Sequence, residues 1–165
     1  MKISEEIDDT DLRILDELQR DASRSNQALA ATVHVSAPTC LRRVKRLQEL
    51  GWIERQIAIL NSDKLSAARG HSLTALVEVT LERQGDEACL AFEARVVQDS
   101  AVQQCYRVSP GPDFVLVVLA AHMPAYLALA QRLFTADANV RNVKAFFSLK
   151  RAKFEPKVPL ASIQA

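Results

Sequence analysis

Four cationic side chains fall within five consecutive positions of the chain: Arg42, Arg43, Lys45 and Arg46. Their guanidinium and ammonium groups donate hydrogen bonds and neutralise phosphates, so such a cluster can bind a polyanion such as nucleic acid. A run of charge is more usually the solvated face of a helix, and Arg and Lys are good helix formers. The cluster alone leaves both interpretations open, and the surrounding elements must decide between them.

The segment 35–53 predicts a short helix that presents these cations. Ser36 is a favourable N-cap, because its hydroxyl can accept from the free amides of the first turn, and Gly51 is a suitable stop. Three apolar residues repeat at i, i+4 and i+7 and form a narrow seam: Cys40, Val44 and Leu47. A helix of this kind can dock on a small core and offer its polar side to the major groove of DNA.

The side opposite the seam, with its flanks and cap, is the expected DNA-contacting surface. Its members are Ser36, Pro38, Thr39, Arg42, Arg43, Lys45 and Arg46. We expect Arg42 and Arg46 to contact bases or phosphates near the centre of the exposed face. Lys45 and Arg43 are expected to neutralise flanking phosphates.

Two further helices are predicted upstream. The pattern over 8–21 is amphipathic with an acidic first turn, which suits the positive end of the helix dipole. Its expected inward residues are Leu12, Ile14, Leu15 and Leu18. Ser25 can cap a second helix over 26–34, whose apolar residues are Leu29, Ala30 and Val33. With the basic helix these form a helix-turn-helix, and the alternating segment 52–60 predicts a strand that serves as a wing or cover.

Composition limits the class of protein. The 165 residues allow one domain or two small ones, and 48% hydrophobic residues suffice for a packed core. The formal net charge is only +1, so attraction to DNA must be local. Residues 1–34 hold four cations against eight acids, whereas the basic helix reverses that sign. Without a signal peptide or an apolar run of about 20 residues, we expect a soluble cytoplasmic protein with no membrane partner.

The cysteines and histidines predict neither a metal site nor a cofactor. The three cysteines are widely spaced, without CxxC pairing and without a histidine nearby in sequence, which is typical of buried thiols in a reducing compartment. The histidines are equally scattered. These residues are Cys40, Cys89 and Cys105, and His34, His71 and His122.

The second half of the chain predicts a different architecture. The polar stretch 61–71 is an expected linker, after which strand and helix patterns alternate. The predicted elements are 72–82, 86–98, 102–109, 114–121, 124–134 and 142–150, in the order strand, helix, strand, strand, helix, strand. The predicted class is therefore α+β. A helix-turn-helix (winged-helix-like) domain at 1–60 precedes a ferredoxin-like βαββαβ domain at 72–150 and a tail at 151–165.

The predicted sheet has more apolar surface than its own helices can cover. Two helices cover one face, yet the segment 114–121 is apolar on both faces, and Phe146 and Phe147 point to opposite sides of the last strand. A second copy of the sheet is the expected cover, in a two-fold dimer that presents two recognition helices to DNA. The alternative is that the tail folds back over the sheet.

The chain resembles bacterial transcriptional regulators of the Lrp/AsnC (leucine-responsive, feast/famine) family over nearly its full length. The opening DDTDLRILDELQRDASRSNQALA resembles the first two helices of the family, and VSAPTCLRRVKRLQELGWIERQIAIL its recognition helix and following strand. The region 73–150 resembles its ligand-sensing and assembly domain. The resemblance implies homodimers joined through the sheets, further assembly into octamers, binding of double-stranded DNA, and response to amino acids or related small molecules.

The resemblance also implies an effector site. Family members commonly carry a Gly-Asp-aromatic-Asp stretch between the second and third strands of the sensing domain, and threonines on the last strand. The matching positions here are Ser109, Gly111, Pro112 and Asp113, with Val143 and Ala145. Pro110 and Pro112 remove two backbone donors, which predicts an effector other than a free α-amino acid, or loss of the response. We expect Asp113 to meet a cationic group such as an ammonium, and the alternative is that it caps the turn after Pro112.

Two other functions remain open on the same architecture. One is an enzyme, since the fold of the family is similar to that of sirohaem decarboxylases, and the other is a sensing or assembly protein that no longer binds DNA. Neither needs a basic reading helix, and no coupled acid–base pair can be picked out, so a DNA-binding regulator without enzymatic activity is expected.

Overall fold

The computed structural model describes residues 6–69 and 73–160. Its contacts divide the chain into two compact units, Met1–Ile59 with Lys153–Ala165, and Leu60–Ala152. Predictions that extend over 1–5, 70–72 and 161–165 lie outside the described residues. The predicted linker contains a helix, α4, at Ser62–Arg69.

Three helices build the first unit: α1 at Asp9–Arg20, α2 at Asn26–Thr32 and α3 at Ala37–Glu49. Each begins at a side-chain cap, because Asp8, Ser25 and Ser36 accept hydrogen bonds from first-turn amides. The predicted caps Ser25 and Ser36 are thus confirmed, as is the predicted seam of α3. The core consists of Ile14, Leu29, Ala30, Val33, Cys40 and Leu47, with Leu15, Leu18 and Val44 packed against it.

Two residues with positive φ shape the path around α3. His34 has φ +59° in the turn before the helix, where the Val35 amide donates to the Ala30 carbonyl at 3.0 Å. Gly51 has φ +78° after the helix, in the left-handed region that glycine adopts without a Cβ clash. The predicted stop at Gly51 is therefore confirmed, whereas the strain at His34 was not foreseen.

The predicted strand over 52–60 is wrong. None of these residues has strand hydrogen bonding to another part of the described chain, and most of them are exposed. Trp52, Ile57 and Ile59 expose 50%, 67% and 58% of their surface. Alternation of apolar and polar residues indicates a strand only where a partner strand supplies hydrogen bonds, and residues 6–69 and 73–160 supply none here.

The second unit has the predicted strand and helix order. After α4 come β1 at Leu73–Leu81, α5 at Asp86–Val96, β2 at Val102–Arg107, β3 at Phe114–Ala120, α6 at Met123–Ala130, a π-helical turn at Gln131–Thr135, and β4 at Val140–Phe147. The strands pair antiparallel in the order β2-β3-β1-β4. The ferredoxin-like βαββαβ fold is confirmed.

One face of this sheet is buried beneath α5 and α6. Val77, Val79 and Leu116 are fully buried there. The Phe92 and Phe114 ring centroids lie 4.7 Å apart, and the edge-to-face rings of Tyr126 and Phe147 lie 5.1 Å apart. The helix α5 ends earlier than predicted, and its residue Leu90 and the following Val97 are exposed.

The opposite, open face of the sheet carries an apolar row. Val117 and Phe146 pair with Leu76 from its two sides, and Leu76 and Phe146 are 43% and 52% exposed. Val115 and Val117 point to this face while Leu116 points to the core, as the alternation predicted. Val158 of the tail hydrogen-bonds to Gln19 of α1, and Arg151 donates to Ser62 of α4, so the described hydrogen bonds do not support the alternative in which the tail covers the sheet.

Candidate DNA interface and effector region

The exposed side of α3 is narrower and less charged than the sequence predicted. Pro38, Arg42 and Lys45 lie on it, as expected, together with Leu41, which is 59% exposed. Within the described residues Arg42 makes no hydrogen bond or ion pair, while Lys45 Nζ lies 3.8 Å from Glu49 across an exposed pair. The surface therefore combines two accessible cations with one apolar side chain, and sequence reasoning missed Leu41.

The hydroxyls at the start of α3 bond to each other and to the backbone. The Ser36 Oγ accepts from the Thr39 amide at 3.4 Å and donates to the Thr39 Oγ1 at 2.8 Å. Pro38 occupies the first turn, where the missing amide proton is not needed. These contacts fix where the helix begins, and therefore where Arg42 and Lys45 lie on its surface.

Arg43 and Arg46 are turned toward α1. The Arg43 Nη1 lies 2.8 Å from Asp8 Oδ2 and 2.9 Å from Asp11 Oδ1. The Arg46 Nη1 lies 3.1 Å from Asp11 Oδ2, and its Nη2 donates to the Glu6 carbonyl at 2.6 Å. Asp11 is only 1% exposed. The prediction that Arg46 lies near the centre of the exposed face is therefore wrong.

Helical spacing explains the placement of Arg43 but not that of Arg46. Arg43 stands three positions after the buried Cys40, at the margin of the seam. Arg46 stands six positions after it, about 120° around the helix, and reaches Asp11 only because its side chain is long. Two carboxylates on α1 meet them there and compensate their charge. The acidic first turn of α1 was interpreted only through the helix dipole, so this second role of Asp8 and Asp11 was missed.

These ion pairs also stabilise the charged forms. The hydrogen bond from the Asp11 amide lowers the pKa of Asp8, and the Arg43 guanidinium lowers it further. The hydrogen bond to Asp11, followed by that to Asp8, raises the pKa of Arg43. The Arg43 Nε is buried without a hydrogen-bond partner among the described residues, so the side chain is held by its Nη1.

The predicted effector residues divide into two groups, of which the first is the loop between β2 and β3. Ser109 and Gly111 are exposed, and Gly111 has φ +124°, which favours glycine. The Asp113 Oδ2 accepts from the Leu81 amide at 2.7 Å and from Gln84 Nε2 at 3.2 Å. The predicted alternative of a cap within its own turn is therefore corrected, since this carboxylate bonds to the end of β1.

Val143 and Ala145, on β4, form the second group. They pair with Val79 and Val77 of β1, on the face covered by helices, where both pack partly buried against the core. The Asp113 amide donates to the Val79 carbonyl at 2.9 Å from the β3 side of the same strand. The two groups thus reach one end of β1, with that strand between them, and a role of Val143 and Ala145 in binding an effector stays a prediction.

A groove that the sequence did not reveal lies between α5 and the π-helical turn. Its cavity of about 550 Å³ has a lining that includes three arginines and three alanines: Arg83, Arg95, Arg132, Ala88, Ala91 and Ala136. The Arg95 guanidinium pairs with Asp137 and donates to the Leu133 carbonyl at 2.5 Å. Arg132 pairs with Asp99 and lowers the pKa of that carboxyl. Two of the three cations are thus already compensated.

The described residues contain neither a metal site nor a membrane-spanning helix. There, no three His, Cys, Asp or Glu side chains gather in a way that could hold a metal ion. Within the same ranges, no helix is long and apolar enough to cross a membrane. All three cysteines are free thiols, and Cys40 is fully buried in the seam, as predicted.

Comparison with known proteins places both units in one family. Residues 7–48 match the AsnC-type helix-turn-helix domain, and residues 74–158 match the Lrp/AsnC ligand binding domain. The chain is 35% identical to a leucine-responsive regulatory protein of Rhizobium meliloti, across 93% of this chain and 96% of that protein. It is 33% identical to the Bkd operon transcriptional regulator of Pseudomonas aeruginosa, across 94% and 99%.

Solved structures agree with this assignment. An AsnC family transcriptional regulator from Agrobacterium tumefaciens superposes with a TM-score of 0.83 at 27% identity, over 95% of this chain and 99% of that one. A transcriptional regulator from Neisseria meningitidis, solved in complex with L-Met, superposes with a TM-score of 0.82 at 26% identity, over 96% and 99%. With its capped reading helix and its four-stranded sheet, the chain belongs to the Lrp/AsnC family of DNA-binding transcriptional regulators.

Proposed function

We propose that this regulator reads DNA with the exposed side of α3, through Arg42 and Lys45, while Arg43 and Arg46 hold the helix on α1. The observation that carries the proposal is the division of the four cations. Two are compensated by Asp8 and Asp11, and Arg42 has no partner in the described chain. An uncompensated guanidinium on a helix surface is the group that meets a phosphate or a guanine edge.

The remaining members of the predicted contact surface support this arrangement in different ways. Ser36 and Pro38 are exposed at the start of α3, close to where a recognition helix approaches the groove. Thr39 is half-buried and bonded to Ser36, so it positions the start of the helix. The Lys45 ammonium remains accessible to DNA, since its exposed ion pair with Glu49, at 3.8 Å, is weak and screened by solvent.

The open face of the sheet supports a homodimer. Leu76, Leu119 and Phe146 are each more than two-fifths exposed on a face that neither α5 nor α6 covers. An exposed apolar row favours association with a second copy, and a two-fold axis gives both protomers the same contact. Dimerisation presents two α3 helices to one DNA site, and octamers would follow from further contacts between dimers.

An amino acid or a related metabolite is the proposed effector in the cytoplasm. Ser109 and Gly111 remain exposed in the β2–β3 loop and are available to a ligand. Asp113 acts on this site indirectly, since its carboxylate is engaged by Leu81 and Gln84. The Neisseria relative was solved with L-Met, which supports an amino acid as the class. The protein acts as a regulator rather than an enzyme.

A mobility-shift titration tests the DNA assignment with DNA from upstream of the protein's own gene. Lys45→Ala should weaken binding to all DNA sequences to a similar extent. It should also make the slope of log K against log salt concentration shallower by about one unit. Arg42→Ala should weaken binding and, where it meets a guanine, relax sequence preference by about 1–3 kcal/mol. Lys64→Ala, which removes the same charge from the exposed side of α4, is the matched control. Unchanged affinity in a folded Arg42→Ala, Lys45→Ala variant contradicts the assignment.

A further inference from the structure

The described part of the C-terminal tail, residues 153–160, belongs to the DNA-binding unit and contacts α1. The contact side of α1 bears Leu12, Asp16 and Gln19 at i, i+4 and i+7. This stripe is distinct from the one through Ile14 and Leu18 that faces the core. Leu12 was predicted as an inward residue but instead lines a cavity of about 750 Å³ beside the tail. Pro159 and Leu160 of the tail line the same cavity.

Gln19 binds the backbone of the tail at one residue. Its Oε1 accepts from the Val158 amide at 2.6 Å, and its Nε2 donates to the Val158 carbonyl at 3.2 Å. The side-chain amide thus pairs with both polar groups of a residue, as a neighbouring strand would. Pro156 and Pro159 flank this residue and have no amide proton, so the segment cannot satisfy itself by folding into a helix.

An ion pair adds to the backbone contact. The Lys157 Nζ lies 2.7 Å from the Asp16 Oδ1, and both side chains are only about a quarter exposed, at 26% and 28%. The hydrogen bond with Lys157 is the main reason that the pKa of Asp16 lies below its usual value. Arg20 also pairs with Asp16, at 2.6 Å. Adjacent residues 157 and 158 of the tail are therefore held by two side chains one turn apart on α1.

We propose that residues 153–160 are a strap that docks on α1 and is a working part of the DNA-binding unit. The strap gives this unit a second connection to the rest of the chain, after the first at Ile59. Because α1 also supplies Asp8 and Asp11, which hold Arg43 and Arg46 of α3, a strap that fixes α1 also fixes the reading helix. Release of the strap loosens α1 and α3 and weakens DNA binding.

The test compares Gln19→Ala with Gln27→Ala in the full chain. Gln27 is an exposed glutamine of α2 with no hydrogen bond in the described residues, so it controls for loss of a helical glutamine. Limited trypsin digestion followed by mass spectrometry measures cleavage after Lys157. Loss of both hydrogen bonds should speed this cleavage about fivefold in Gln19→Ala and leave Gln27→Ala unchanged. Equal cleavage in the two variants overturns the proposal, because Gln19 then does not hold the strap.

Two further readouts decide whether the strap matters to the unit. Hydrogen exchange should be faster at α1 and α3 amides in Gln19→Ala, and DNA affinity should fall about threefold to tenfold. Faster cleavage with unchanged hydrogen exchange and unchanged DNA affinity overturns the proposal, since the strap would then contribute nothing to the DNA-binding unit. If wild type binds no DNA, the α3 assignment fails, and hydrogen exchange alone decides on the strap.

A second variant protects the test against misfolding of α1. Lys157→Gln lies outside the three helices and removes only the ion pair to Asp16. It should change hydrogen exchange and DNA affinity in the same direction as Gln19→Ala, but by a smaller factor. The effect is smaller because a partly exposed ion pair is weaker than two hydrogen bonds to the backbone. No shift in exchange at α1 in either variant contradicts the proposal.

Discussion

The Arg43 Nη1 lies 2.9 Å from the Oδ1 of Asp11, although 32 residues separate them in the chain. The same carboxylate meets Arg46 through its other oxygen at 3.1 Å. One buried acid on α1 therefore fixes two cations of the reading helix. The two cations left facing outward, Arg42 and Lys45, are the ones that we propose bind DNA. Holding α3 and binding DNA are thus assigned to different members of one basic cluster.

Removal of Asp11 should therefore destabilise the protein strongly. Asp11→Ala leaves two guanidinium groups without their shared carboxylate, and since both are about a quarter exposed we expect a loss of about 2 kcal/mol. Urea denaturation measures it. Glu49→Gln, which breaks only the exposed pair with Lys45, should change stability by less than about 0.5 kcal/mol. Equal losses in the two variants contradict the buried-pair account.

Stability should decline in acid through particular aspartates. The hydrogen bond with Arg132 is the main cause that lowers the pKa of Asp99, and a hydrogen bond from the Asp11 amide lowers that of Asp8. A lowered folded-state pKa stabilises the protein above the unfolded value, about 3.9, and this stabilisation is lost as the pH falls through the folded value. Melting temperatures between pH 6 and pH 2.5 should fall, less steeply in Asp99→Asn. If the melting temperature of Asp99→Asn falls with pH as steeply as that of the wild type, Asp99 does not contribute to the acid dependence.

The two faces of β3 should respond differently to a new charge. Leu116→Asp buries a carboxylate without a partner in the core and should unfold the protein. Val117→Asp lies on the open face and should leave a folded monomer, because it disrupts only the contact with a second copy. Light scattering and circular dichroism distinguish the two outcomes. A wild-type monomer at micromolar concentration refutes the dimer.

Asp113→Asn should lower the melting temperature. The carboxylate accepts hydrogen bonds from both Leu81 and Gln84, and a neutral amide accepts them more weakly, which corresponds to about 1 kcal/mol. Calorimetric titration with the common amino acids measures the effector in parallel. A mutant that keeps its melting temperature but loses a ligand shows that Asp113 contacts the ligand directly, against the structural role. Equal binding of an amino acid by the wild type and by Asp113→Asn shows that Asp113 only supports the structure of the loop.

Much of the fold could be predicted from local patterns. Ser25 and Ser36 are helix caps because each hydroxyl bonds to an amide only three residues away. The alternation of Val77 and Val79 with Glu78 and Thr80 follows from the pleat of the strand alone. The placement of Arg46 could not be predicted this way. Its partner Asp11 lies 35 positions upstream, and nothing local to either residue distinguishes a buried pair from two solvated charges.

The same limit applies to the contacts of the tail and of the effector loop. Gln19 meets Val158 across 139 residues, and a tail rich in lysine and proline has no periodicity that would predict a docking site. Asp113 was expected to act within its own turn or on a ligand, whereas its acceptor role is to Leu81, 32 residues upstream. The residue types of Gln19 and Asp113 predicted that their side chains would accept hydrogen bonds. Which donors they meet depends on the fold.

The strap has a consequence for synthesis of the chain on the ribosome. The helices α1, α2 and α3 emerge first and can fold while the strands are still being made. The residues that bind Asp16 and Gln19 are Lys157 and Val158, which emerge after every strand of the sheet. A nascent chain therefore carries the three helices without their strap, and the DNA-binding unit is completed only after every strand of the sheet has been made.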